Sequence, residues 1–187
     1  MEALVPAFIA ALLTQIGDRP ASLTAILADR FGRPVTIAVG AGLAHALLSV
    51  FAALAAELMA PSMTPNARAL FVAIALLFGG VASLFPVRPP NRLEEWRIGS
   101  FLTALLGVFS LALGGQTQFF TLAFAVRGDP WFAVVGATLG AFAVALVAAV
   151  LGESTWAKLK FRAFRAAIGI LCLIAGIIMG LGALRLI

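Results

Sequence analysis

The stretch Gln15-Ile16-Gly17-Asp18-Arg19 sets an amide, a carboxylate and a guanidinium inside an otherwise apolar segment. Polar groups at membrane depth are costly, so they face a bundle interior or an aqueous path. On a continuous helix Gln15 and Ser22 lie one turn either side of Asp18, and Thr14 falls within the same arc. Carboxylate, amide carbonyl and hydroxyl oxygens together suit a hard cation, and Asp18 is the residue expected to touch a metal. Arg19 follows Asp18 directly, but neighbours on a helix point about 100° apart and do not face each other. Pro20 has no N–H to give, so a kink there is expected to free the carbonyl of Ile16.

A second polar stretch, Leu113-Gly114-Gly115-Gln116-Thr117-Gln118, recurs about a hundred residues on, with Thr121 one turn further. Its side chains are neutral. They serve equally well as hydrogen-bonding glue between helices or as the other wall of a polar path. A polar motif repeated in a membrane chain predicts two halves building one shared site. His45, the only histidine, is a candidate proton relay or a satisfied buried imidazole. Glu57 and Glu153 are candidate gating carboxylates or ordinary interfacial acids. No glycine-rich phosphate loop, cysteine pair or nucleophile elbow occurs, so the expectation is a non-enzyme without a cofactor.

These residues must be held by membrane helices. The 187 residues are 63% hydrophobic and only 11% charged, more apolar surface than a water-soluble domain of this size can hide. Continuous apolar runs argue against a β-barrel. Cys172 is the lone cysteine, which excludes an intrachain disulfide. The net charge of +5 sits mainly in short loops, where it sets topology and does not bind nucleic acid. The start Met1-Glu2-Ala3-Leu4 lacks a signal peptide's basic region.

The fold class expected is all-α, with six transmembrane helices near 4–29, 34–60, 67–86, 98–126, 131–152 and 164–186. Breakers at Gly32-Arg33-Pro34, 61–66, 86–91 and Gly128-Asp129-Pro130 separate them. The chain reads as one membrane domain of two repeats, about 4–86 and 98–187. Gly17 pairs with Gly114 and Thr24 with Thr121 at a spacing of 97; Pro34 with Pro130, Gly40 with Gly136, and Glu57 with Glu153 at 96; Arg68 with Arg165 and Gly79 with Gly176 at 97. The ordered series predicts an internal repeat. Three helices per repeat is odd, so the repeats enter the membrane from opposite sides. Nine basic residues, from Arg30 to Arg165, lie in the loops after helices one, three and five, against Arg68, Arg127 and Arg185 on the other side. That bias predicts both termini outside. Trp96, Trp131 and Trp156 fall at helix ends, as interfacial anchors do.

The chain resembles the transmembrane-protein-165 family, manganese and calcium transporters thought to exchange the cation for protons. That family has two three-helix repeats, each with a Glu-x-Gly-Asp-(Lys/Arg)-(Thr/Ser) motif whose acids are taken to form the cation site. The stretch from Gln15 to Pro34 is similar to the first motif and its following loop, and Ser100 to Gln118 to the second. The resemblance implies a cation transporter of a bacterial-type inner membrane, with Asp18 central and Gln15, Gln116, Thr117 and Gln118 as neutral partners. In the first motif Gln15 stands at the glutamate and Pro20 at the hydroxyl residue. In the second, Ala112 and Gly115 stand at the two acids and Gln116 at the basic position. One of four acids remains, which neutralises a divalent cation poorly in low dielectric. The alternatives are transport of another small ion or solute, or a membrane scaffold that no longer transports.

Overall fold

The computed structural model describes residues 2–185, and every regular element among them is helical. The helices are α1 (Leu4–Gln15), α2 (Arg19–Phe31), α3 (Pro34–Met59, continued by a 3-10 turn at Ala60–Ser62), α4 (Pro65–Leu84), α5 (Ser100–Ala112), α6 (Gln116–Arg127), α7 (Pro130–Lys158) and α8 (Phe161–Ala183). The long helices begin where the sequence punctuates. Pro34, Pro65 and Pro130 occupy first turns, where no N–H is needed. Thr64 and Asp129 accept first-turn N–H groups as caps.

Two expected helices are each broken in two. The first, expected over 4–29, stops at Gln15 and restarts at Arg19; the fourth, expected over 98–126, stops at Ala112 and restarts at Gln116. The cause is the same in both: Gly17 has φ +73° and Gly114 φ +71°, a left-handed backbone that glycine adopts without a Cβ penalty. Pro20 therefore sits in the first turn of α2 and does not kink a helix from within. Among the described residues the Ile16 carbonyl accepts no hydrogen bond, as expected, but because the helix has already ended at Gln15. The fifth helix, expected to end at 152, continues to Lys158 across a non-helical Gly152, and the sixth begins at Phe161, before the expected 164. The expected ends at 186 and 187 lie outside the described residues.

Four helices are long and apolar enough to cross a membrane: α3, α4, α7 and α8. The α5–α6 pair, bent by 71°, is either one broken span, which would be the fifth, or a re-entrant loop. Of the six spans expected, the remaining one would be α1 with α2. Apolar α1 has only 12 residues, and α2 carries Arg19, Asp29 and Arg30. Large apolar side chains face outward, for example Ile170, Leu171, Ile174, Ile177 and Ile178 of α8, while the core is dominated by alanine. Small residues let backbones approach closely where lipid outside is as apolar as the side chains within.

The element order repeats: α1 to α4 is a broken pair followed by two long helices, and so is α5 to α8. Packing repeats as well. Gly40 of α3 lies against the carbonyl of Phe101 in α5, and its mate Gly136 of α7 lies against the carbonyl of Leu4 in α1. The pairs α3·α5 and α1·α7, α3·α6 and α2·α7, and α2·α5 and α1·α6 correspond. One pair does not. Helix α4 packs along α6, with Phe120 filling the space over Gly79, whereas α8 does not pack along α2. A cavity opens on that side.

Candidate functional site

The two breaks sort the polar residues into two unlike places. One is sealed. Thr14 and Gln15, at the end of α1, meet Thr117 at the start of α6 and His45 on α3; all four are buried. The Thr14 hydroxyl lies 3.0 Å from that of Thr117 and 2.7 Å from the Ala10 carbonyl. Gln15 Nε2 donates to Thr117 Oγ1 at 3.1 Å and lies 3.4 Å from His45 Nδ1. One proton order satisfies this chain. Thr117 accepts from Gln15 and donates to Thr14, Thr14 donates to Ala10, and His45 accepts at Nδ1 and carries its proton on Nε2. The cluster stitches the repeats together without a single carboxylate.

The other place is open. Asp18, ahead of the first turn of α2, faces a cavity of about 600 Å³. Arg19, Arg88, Gln116 and Arg165 share its wall, with Gly114 and Gly115 of the second break and residues 85–88 of the linker. Arg165 NH1 lies 3.9 Å from Asp18 Oδ1, and its NH2 reaches the Ala82 carbonyl at 3.5 Å. The Arg165 side chain is only 9% exposed, that of Asp18 22%. Arg19 donates through Nε to the Arg88 carbonyl at 3.3 Å, bringing the linker down on the start of α2. Gln116 Nε2 donates to the Gly79 carbonyl at 2.9 Å and lies 3.4 Å from Ser83 Oγ, tying α6 to α4.

The expected single site is thus divided. Gln15 and Thr117 come together, and so do Asp18 and Gln116, but Asp18 makes no bond to Thr117. The reason is the break. Once Gly17 turns the chain, Gln15 and Asp18 no longer share a helical face. Gln118 departs from both. Its amide oxygen and nitrogen are buried without partners, and it lines a groove with Leu48, Phe51 and Ala52 of α3. Two residues on from Gln116, it points about 200° round the helix. Ser22 and Thr121 turn back onto their own helices, donating to the carbonyls of Asp18 at 2.9 Å and Thr117 at 2.7 Å. Glu57 is exposed near the end of α3. Glu153 pairs with Arg92 of the linker, and its N–H donates to Asp29 at 2.8 Å. Gly152 gives way to the Asp29 carboxylate there, with φ +70°. Trp156 is buried against Phe161 and reaches Ser22 at 3.4 Å, so it is no surface anchor.

Reading the sequence missed Arg88 and Arg165, counted there only as loop charges. The signal for Arg165 was its pairing with Arg68, because a guanidinium at the start of an apolar span must find partners. Arg68 finds the Ala60 carbonyl at 2.7 Å, and Arg165 finds Asp18.

A family model described as divalent cation/proton antiporter GDT1 matches twice, over residues 3–90 and 100–186. The chain belongs to that family. The double match falls on the two sets of four helices, and the resemblance read from the two motifs is to this same GDT1 family. A multi-pass membrane protein acting in a lipid bilayer on cations follows from the family and the apolar helices together. No curated protein and no solved structure matches the chain. Among the described residues no group of three or more histidine, cysteine, aspartate or glutamate side chains is placed to hold a metal ion.

Proposed function

We propose that this chain is a proton-coupled secondary transporter of a bacterial-type inner membrane that works by alternating access between two inverted repeats. In this reading α1 and α2 form the sixth span and both termini lie outside. One observation carries it. Of two corresponding helix pairs, α4·α6 is packed and α2·α8 is parted. Inverted repeats that exchange these two arrangements open a central site first to one side and then to the other. The parted side faces the linker and the start of α8, the basic side of the chain, so the cavity is open to the cytoplasm.

The cargo expected of the family is a divalent cation, manganese or calcium. Here it meets a degenerate acidic site. Asp18 is the one carboxylate in the cavity wall, and Arg165 already stands beside it. A cation reaching Asp18 displaces that guanidinium, as does a proton that neutralises the acid. Both routes use the same carboxylate, which is the minimum an exchanger needs. The sealed cluster of Thr14, Gln15, His45 and Thr117 is the barrier between the cavity and the far side. No catalytic step and no resident cofactor enters this reading.

Purified protein in proteoliposomes with an imposed pH gradient tests it. Manganese or calcium flux that depends on the gradient and is lost in Asp18→Asn is the expected result. Flux that ignores Asp18→Asn, or no flux with any divalent or monovalent cation, overturns cation transport. In the second case the surplus of arginine in the cavity favours a different small ion as cargo. If no ion or solute of either charge moves, the protein is a membrane scaffold.

A further inference from the structure

The wall of the cavity at the two breaks carries Arg19, Arg88 and Arg165 against the single carboxylate of Asp18, a formal surplus of two positive charges (three minus one). A divalent cation reaches Asp18 here only by displacing Arg165 against that surplus. An oxyanion is attracted by it. We propose that this cavity binds a phosphate-class oxyanion, free or at the head of a larger molecule, on the buried guanidinium of Arg165, with Arg19 and Arg88 adding positive charge to the wall.

Four observations support the assignment. Guanidinium presents a planar fork of N–H donors that matches phosphate oxygens two at a time. Arg165 is nine-tenths buried, and its contacts, Asp18 at 3.9 Å and the Ala82 carbonyl at 3.5 Å, are long, so most of its donor capacity is unspent. The two broken helices both restart at this cavity: Asp18, Arg19 and Pro20 of α2 and Gly115 and Gln116 of α6 line it together. Helix starts carry unpaired N–H groups and partial positive charge, which adds to the guanidinium field in the same sense. The surplus charge of two matches a phosphate dianion. The volume, about 600 Å³, leaves room for an organic group attached to it.

In this arrangement Asp18 is a competitor. It holds Arg165 in place when the cavity is empty and gives it up when an anion arrives. The inference concerns the site named under the proposed function, but binding is measured without transport, so the two can fail separately. The test is thermal unfolding of the full chain in a neutral detergent, titrated with inorganic phosphate at constant ionic strength, with chloride as control. A parallel arm uses nanodiscs of phosphatidylglycerol against nanodiscs of phosphatidylcholine.

Phosphate is expected to raise Tm where chloride does not. Arg165→Gln and the exposed double variant Arg19→Gln/Arg88→Gln are each expected to remove most of that rise. The double variant guards against misfolding of Arg165→Gln. Asp18→Asn decides the sign: it is expected to tighten phosphate binding severalfold, while the cation flux that needs this carboxylate is lost. A rise with soluble phosphate assigns a free or soluble occupant. A rise only in phosphatidylglycerol, abolished by the same variants, assigns a lipid headgroup. No arginine-dependent rise in either arm overturns the proposal, as does weaker phosphate binding in Asp18→Asn.

Discussion

The sealed cluster and the open cavity sit at the same pair of helix breaks, yet they are built on opposite principles. The cluster of Thr14, Gln15, His45 and Thr117 links its polar groups to one another and needs no charge. The cavity at Asp18 leaves its charges half satisfied and stands open. The difference teaches where a membrane protein places stability and where it places chemistry. Neutral groups bonded to one another can be locked between repeats, while charged groups with spare donors must stay within reach of solvent and ligand.

Variants separate the two, beginning with the residue on which both depend. Gly17→Ala is expected to cost about 3 kcal/mol or more, from the left-handed backbone and from a Cβ that would lie 2.5 Å from Phe161 Cβ. Its mate Gly114→Ala has nothing within 4 Å and should lose only the backbone part, about 1–2 kcal/mol. Unfolding in detergent measures both, and equal losses would mean that the contact with Phe161 contributes nothing. Thr117→Val removes the acceptor for Gln15 and the partner of Thr14, at about 1 kcal/mol. It should leave the response to ions unchanged, which the phosphate and cation titrations read directly. Asp18→Asn is expected to shift stability by less than about 1 kcal/mol, because the pair with Arg165 is long and Asp18 is partly exposed. Combined, Thr117→Val and Asp18→Asn should add to within about 0.5 kcal/mol. A larger coupling would merge the cluster and the cavity into one site.

Much of this was legible from residue types and spacing. The repeat paired Gly17 with Gly114, which turn out to be the two breaks, and Gly40 with Gly136, which turn out to be two equivalent helix contacts. What the glycines did not reveal was their conformation. A glycine inside an apolar run reads as a close-packing site as readily as a left-handed turn, so two continuous helices were expected where the chain has four. That error carried into the site. On a continuous helix Gln15, Asp18 and Ser22 share a face; across a turn at Gly17 they part, Gln15 to the cluster and Ser22 back to the carbonyl of Asp18. Pro20 was legible as a breaker but not as the first turn of a new helix. Gln116 and Gln118 were indistinguishable by composition, and only the packing of α6 on α4 decides which of them reaches the cavity. Arg165 was hidden by a sound rule, since basic residues beside a span usually set orientation and nothing more.

The linker between the repeats has a consequence of its own. Residues 85–88 form part of the cavity wall, and Arg30 clamps the next stretch through the carbonyls of Leu93, Glu94 and Trp96 at 2.6–3.0 Å. Two separate half-length chains assembled as a symmetric dimer would have no such segment and would present two identical breaks. Joining the halves in one polypeptide removes that equivalence. The covalent join itself adds residues 85–88, Arg88 among them, to one side of a cavity that both breaks line, a wall that a symmetric dimer of half-length chains would lack.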